Sequence, residues 1–324
     1  MKQNMKQLVV NDPYQLNFAR AGKEYARYRE LWALAGQKKY SGRVPLHLDF
    51  DTVDACNLRC SICHERGRVR TGTKMPLQMA MEAISQGAGR GLYSVNIGGV
   101  GEPYLQKQAL YELASFSVKK GMLDIFVHTN FLLLKDDDIH ATMECGITCL
   151  CISVDAITPE TYKKIRGGDF EAVMENVRRL NEYKKRRSLH FPLVRVSAVP
   201  CDENNYELPR FFDYWAPYAD VVEIQSYRYD KSHENKRMVA THPVTTCSSP
   251  WMRLMYWPNG DVTACCCKDG LGRDIILGNV LTEKKALDDY WNGPTLSGIR
   301  EAISDNNWDA IPSCKSCLSR TFSY

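Results

Sequence analysis

The sequence predicts an α/β protein centred on a curved parallel sheet, an open partial (β/α)6 TIM-like barrel. Three observations carry that expectation. From about residue 46 to 227, short strand-like runs recur with segments of helical period between them, and regular alternation of this kind implies parallel βαβ units. Hydrophobic residues make up 44% and charged residues 25% of the 324 positions, as in a globular chain with a substantial core. Cysteine- and glycine-rich segments stand directly behind strands, and barrels gather their active sites at the C-terminal strand ends.

Residues 1–43 read as a charged helical extension. Residues 44–235 hold the barrel, with strands expected at 46–52, 92–98, 123–129, 147–155, 193–200 and 221–227. Helices are expected between them at 76–86, 107–119, 135–145, 170–185 and 206–214. Residues 236–324 lose this regularity. They show short strand-like pieces, a turn at Pro258–Asp261, a helical stretch near 283–291 and six cysteines from Cys247 to Cys317. That composition suggests a small metal-dependent domain.

The formal net charge of +4, from 42 basic and 38 acidic residues, argues for neither a nucleic-acid nor a membrane partner. No apolar run approaches the roughly 20 residues of a membrane span, and the first residues lack the apolar core of a signal peptide. A cytoplasmic location is expected. Thirteen cysteines in a reducing compartment then point to metal rather than to disulfides.

The strongest motif is C-x3-C-x2-C at Cys56, Cys60 and Cys63, behind the first strand. Three thiolates on one loop can hold three irons of a [4Fe–4S] cube and leave the fourth open. A zinc site with His64 as fourth ligand is the alternative, but His64 adjoins Cys63, an awkward geometry for joint ligation.

This loop resembles the hallmark of the radical S-adenosylmethionine superfamily, with Ile62 in a slot that is usually aromatic. The resemblance implies that Cys56, Cys60 and Cys63 hold the cluster and that its open iron chelates S-adenosylmethionine. Reductive cleavage would then yield a 5′-deoxyadenosyl radical, with a flavodoxin or ferredoxin as reductant. Gly98-Gly99-Val100-Gly101-Glu102-Pro103 resembles the family's GGEP segment, which binds the methionyl amine. Thr129-Asn130 resembles its TNG segment, with Phe131 where glycine is usual. Ser153-Val-Asp155 with the following Thr158–Gly168 resembles an SxD…TxETYxxIRGG segment. Ser153 becomes a candidate contact to ribose or carboxylate.

Strand parity adds further candidates. Positions 149, 151, 153 and 155 share one face of their strand, with Asp155 nearest the mouth as a candidate substrate contact; Cys149 and Cys151 read as core packing. Arg195, Ser197 and Cys201 share another face. A buried Arg195 needs an anion, either the cofactor carboxylate or a structural partner. Glu223, Gln225 and Tyr227 point inward as candidate substrate contacts.

Cys247, Cys265, Cys314 and Cys317 follow C-x12-G-x4-C…C-x2-C with Gly260 as the glycine. This resembles an auxiliary-cluster domain called SPASM in its shortened Twitch form, implying one further [4Fe–4S] cluster with four protein ligands. A structural zinc site is the alternative, and a register shift to Cys266 or Cys267 stays open.

The expected function is hydrogen abstraction from a C–H bond of a small polar substrate, such as a sugar or aminoglycoside carbinol. Dehydrogenation or epimerisation would follow, the latter with Cys201, Cys266 or Cys267 as thiol donor. Peptide modification is the second enzymatic possibility. An iron–sulfur electron carrier or a zinc-stabilised binding protein is the non-enzymatic one.

Overall fold

The computed structural model describes residues 1–324 except 1, 5–6, 64–68, 226, 229–241, 244–245, 267–273, 320 and 324; at 2–4, 227–228, 242–243, 319 and 321–323 only the backbone is described. Strands β1 (Lys2–Asn4) and β2 (Gln7–Val9) precede helix α1 (Pro13–Gly36). The barrel follows as β3 (His47–Phe50), α2 (Leu77–Gly87), β4 (Ser94–Gly98), α3 (Lys107–Lys119), β5 (Asp124–Thr129) and α4 (Asp136–Glu144). It continues through β6 (Cys149–Ser153), α5 (Pro159–Arg166), α6 (Phe170–Arg187), β7 (Leu193–Ala198), α7 (Leu208–Trp215) and β8 (Val221–Ile224). The remainder holds β9 (Tyr227–Arg228), β10 (His242–Pro243), β11 (Arg253–Tyr256), β12 (Asp261–Thr263), β13 (Ile276–Asn279), α8 (Leu287–Trp291), α9 (Pro294–Ser304), α10 (Pro312–Ser319) and β14 (Thr321–Ser323).

Strands β3 to β8 pair in parallel in sequence order, giving the expected six-stranded barrel sheet. Their two faces differ in chemistry, as a period of two requires. Leu48, Val95, Ile97, Val127, Ile152 and Val196 turn outward into the helix-covered core, each adding about 1.5–3 kcal/mol on full burial. Inward stand polar side chains, among them Asp49, Asn96, His128, Arg195 and Glu223, which bond to one another inside the barrel. Helix α1 lies against the N-terminal strand ends, where the Tyr28 hydroxyl donates to Ser94 Oγ at 3.0 Å and Tyr25, Tyr28 and Leu123 cluster.

The sheet exceeds the expectation at both edges. Residues 7–9, expected within a helical extension, form β2 and pair antiparallel with β8. This covers an edge that would otherwise expose unpaired backbone groups, and Leu8 is buried there. At the other edge β11 pairs in parallel with β3, Arg253 opposite His47 and Tyr256 opposite Phe50. Strands β12 and β13 continue from it. The C-terminal segment is thus a continuation of the barrel sheet. Four-residue strands leave too short a pattern for periodicity to register. The helical stretch near 283–291 shortens to α8, while α9 and α10 follow it.

Candidate active site at the C-terminal strand ends

A cavity of about 250 Å³ opens at the C-terminal ends of the barrel strands. Cys56, Cys60 and Cys63 form one wall. Their loop is held from several sides. Ser61 N–H donates to Ile165 O at 2.6 Å and Glu102 N–H to Ala55 O at 2.8 Å. Asn130 Nδ2 donates to Asn57 Oδ1 at 2.8 Å. Three donors also point at the sulfurs: Leu58 N–H at 3.5 Å and Asn130 Nδ2 at 4.0 Å toward Cys56, and Arg166 Nη1 at 3.9 Å toward Cys60. Burial raises the Cys56 thiol and pushes Cys60 up to about 11. As free groups they are thiols, and a metal would deprotonate them. Among the described residues no three His, Cys, Asp or Glu groups close around a single ion. Cys60 nevertheless feels the charge of both Cys56 and Cys63. Such spacing, with sulfur-directed donors, fits a multinuclear cluster.

The glycine segment forms a second wall. Gly98 and Gly99 have φ of 91° and 125°. A Cβ on Gly101 would stand 1.9 Å from Val53 O, so only glycine lets this turn lie on the cysteine loop. Gly101 N–H donates to Asp51 Oδ1 at 2.8 Å. Glu102 faces the cavity and also locks the neighbouring strand end, accepting from Thr129 Oγ1 at 2.7 Å and Asn130 N–H at 2.8 Å. Burial raises its carboxyl to about 6 despite these bonds. Phe131 has φ of 60°, the left-handed conformation that glycine adopts freely. It is fully buried, and its carbonyl accepts from Asn176 Nδ2 at 2.8 Å.

Ser153, Asn130 and Gln225 line the same cavity, as do Gly99, Gly101 and Glu102. Gly98 shapes the turn without lining it. Arg166 and His128, not singled out from sequence, line it as well. Arg166 ends α5, whose Thr158 cap, Pro159 and left-handed Gly167 fit the rules of helix termini. Its guanidinium pairs with the buried Asp155. Asp155 also accepts from Val199 N–H at 2.7 Å, so it holds the arginine from behind and does not line the cavity. Arg195 meets Glu223 at 3.4 Å as its anion, and Glu223 in turn accepts from Gln225 Nε2 at 2.7 Å. Cys201 is buried against Ile62 and Ile165, one layer behind the lining. Cys149 and Cys151 pack with Leu193. Tyr227's side chain and Cys267 lie outside what is described.

The second cysteine set also converges. After burial, which pushes Cys314 up to about 12, its neighbours Cys265, Cys247 and Cys317 are the next causes. Cys314 and Cys317 are one turn apart on α10, hence on one face. Four thiols within electrostatic reach of one another are the donor set that a closed cluster would take. Cys266 is exposed beside it.

Comparison with known proteins agrees with both centres. Residues 51–195 match the Radical SAM superfamily, and residues 247–318 match the SPASM iron–sulfur cluster-binding domain. A GTP 3′,8-cyclase of Alkaliphilus metalliredigens is 33% identical over 136 residues, which cover 40% of this chain. The chain spans only 42% of that relative's length. SuiB of Streptococcus suis superposes with a TM-score of 0.63 at 14% identity, over 86% of this chain and 73% of that one. BtrN in complex with AdoMet and 2-DOIA superposes at 0.51 and 15%, over 85% and 93%. Both likenesses concern the fold, and the sequence relative is named a cyclase rather than the expected sugar enzyme. The chain carries a radical SAM domain followed by an iron–sulfur cluster-binding domain of the SPASM kind, and its cofactors are [4Fe–4S] clusters and S-adenosylmethionine.

Proposed function

We propose that this chain is a radical SAM enzyme that removes hydrogen from a carbinol C–H bond of a small polar substrate and completes a two-electron dehydrogenation. One observation carries the proposal: the open cysteine triad, the glycine turn, Asn130, Ser153 and Arg166 share one cavity. When bound there, the cluster and S-adenosylmethionine supply a 5′-deoxyadenosyl radical. The chain's own groups would hold the cofactor at both ends of its methionyl part. Glu102 and the glycine backbone suit the amine, and the Arg166 guanidinium suits the carboxylate. Ser153 offers a hydroxyl for ribose or carboxylate. The polar inner layer beneath offers paired donors and acceptors to a hydroxylated substrate. Dehydrogenation is favoured over Cys201-dependent epimerisation because Cys201 is buried behind the lining residue Ile62 and does not itself line the cavity. A reductant such as flavodoxin or ferredoxin would deliver the initiating electron.

The sequence similarity to GTP 3′,8-cyclases, 33% identity over 136 residues in one of them, favours a second reading, a nucleotide substrate. Iron quantitation and product analysis test both. About eight irons per chain, in two four-iron clusters, and 5′-deoxyadenosine formed on reduction support the enzyme. Bound zinc with no cofactor cleavage would overturn it. Consumption of GTP would select the second reading.

A further inference from the structure

The inner layer of the barrel leads from the C-terminal segment to one imidazole in the cavity. Arg253 of β11 reaches Asp49 Oδ2 at 3.4 Å. Asp49 Oδ1 accepts from Asn96 Nδ2 at 2.9 Å, and the same Nδ2 donates to Gly98 O at 2.9 Å. These two acceptors fix the Asn96 amide, because the flipped form would set its oxygen against a carboxylate and a carbonyl. Asn96 Oδ1 therefore faces His128 Nδ1, 2.7 Å away, as an acceptor. Nδ1 must carry the proton, and Nε2 is left as a bare lone pair. His128 is partly accessible and lines the cofactor cavity. His47, in the same layer, has both nitrogens engaged, Nδ1 with Ser94 Oγ at 2.7 Å and Nε2 with Asp49 Oδ1 at 3.2 Å.

The charged and titratable groups around His128 come from four strands: His47 and Asp49 on β3, Cys149 on β6, Arg195 on β7 and Glu223 on β8. Burial outweighs the acidic groups, Arg195 acts with it, and the imidazole is held below its ordinary value. It stays neutral near physiological pH, the state a general base requires.

We propose that His128 is a catalytic residue whose unprotonated Nε2 takes the hydroxyl proton of a carbinol substrate once hydrogen has left the adjacent carbon. This rests on the dehydrogenation reading above and names the group that would complete it. The step balances as follows. The substrate O–H bond breaks and Nε2–H forms. The unpaired electron would go to a one-electron acceptor of the iron–sulfur class, which Cys247, Cys265, Cys314 and Cys317 would hold, as the C–O bond becomes C=O. The substrate thus loses one hydrogen atom, one proton and one electron. The proton leaves through the open cavity, and Asn96 keeps Nδ1 protonated for the next turnover.

The test labels unprotonated imidazole nitrogens with diethylpyrocarbonate in the anaerobic two-cluster protein, with and without saturating S-adenosylmethionine, and maps the sites by mass spectrometry. His47 is the internal control. The expected result is labelling of His128 about tenfold faster than of His47, since of these two only His128 is partly accessible and keeps a nitrogen without a bonding partner among the described residues, and a rate that S-adenosylmethionine leaves largely unchanged. Labelling no faster than that of His47 would overturn the proposal, because Nε2 would then not be free. Strong protection by S-adenosylmethionine alone would also overturn it, making His128 a cofactor contact. Formation of 5′-deoxyadenosine by the same preparation tests the underlying enzyme assignment separately.

Discussion

Replacing Asp155 by asparagine isolates the charge that holds Arg166 at the cofactor cavity. Asp155 is 1% exposed, and the Arg166 side chain is 13% exposed. Asparagine keeps the volume, tolerates the left-handed φ of 65°, and can still accept from Val199 N–H. What disappears is the counter-charge. Removing one partner of a buried pair costs about 3–5 kcal/mol because the other charge is left uncompensated. In a chain of this size each kcal/mol shifts the melting point by roughly 2 °C, so the cofactor-free variant should melt about 6–10 °C lower. S-adenosylmethionine should then stabilise the variant more than the wild type. Its carboxylate replaces the missing anion, and a hydrogen bond to a charged group is worth about 1.5–3 kcal/mol. The cofactor-induced shift should grow by about 3–6 °C. Anaerobic thermal melts of both proteins, with and without the cofactor, give all four numbers. An equal or smaller cofactor shift in Asp155→Asn would refute the placement of Arg166 against the carboxylate, whatever the cofactor-free melting point does.

Three further outcomes are expected. Gly101→Ala forces a methyl against the Val53 carbonyl and should displace the cysteine loop, costing about 1–3 kcal/mol or more; iron content and melting point should both fall, and unchanged iron loading would show that the loop tolerates the shift. Glu102 sets a pH dependence. Its folded value of about 6 lies above the ordinary 4.5, so its contribution of about 2 kcal/mol to stability is fully present below 4.5 and lost as pH rises through 6. A bound amine favours the ionised carboxylate, so cofactor affinity should weaken roughly tenfold from pH 7 to about pH 5, and equilibrium dialysis giving a flat profile would remove Glu102 from the contact. Cys201→Ala should cost only about 1 kcal/mol of packing and leave the yield of carbonyl product unchanged; a loss of product, or solvent deuterium found on the product carbon with the wild type but not with the variant, would return Cys201 to the reaction.

The sheet and its two faces were legible because a period of two is written in every barrel strand. Outward Val and Ile alternate with inward Asp, Asn, His and Arg from β3 to β8. The cysteine loop and glycine turn were legible because their chemistry needs fixed local spacing. Arg166 was hidden inside a quoted motif. Its importance comes from Asp155, eleven positions back, and from the side of α5 on which it ends. His128 was hidden because its tautomer depends on Asn96 and Asp49, two strands that meet it only in the folded sheet. Cys201 followed the right parity, but parity gives only a direction. At the strand's end the chain turns, and Ile62 and Ile165 cover the thiol. Phe131 departed from the glycine that the family resemblance suggested, yet it takes the glycine conformation. A left-handed non-glycine residue costs about 1–2 kcal/mol, and full burial of a phenylalanine returns about 1.5–3 kcal/mol.

The pairing of β11 with β3 bears on how two metal centres can cooperate in one chain. Had the C-terminal segment been tethered by a linker alone, its distance from the barrel would vary. Instead Arg253 to Tyr256 are in register with His47 to Phe50, the strand that leads into Cys56. From β11 two routes run outward. Met255 and Trp257 pack on Val100 of the glycine turn. Trp257 Nε1 donates to Thr263 Oγ1 at 2.9 Å, and that hydroxyl donates to Cys265 O at 2.6 Å. One strand therefore touches the cofactor turn on one side and a candidate auxiliary ligand on the other. Arg253 adds a third connection, into the inner layer that ends at His128. Because β-sheet register shifts only in whole residues, the two centres cannot drift apart without breaking pairs. A fixed separation is what the proposed one-electron transfer from a barrel-bound substrate to an auxiliary cluster would require, and the pairing of β11 with β3 would supply it through backbone hydrogen bonds.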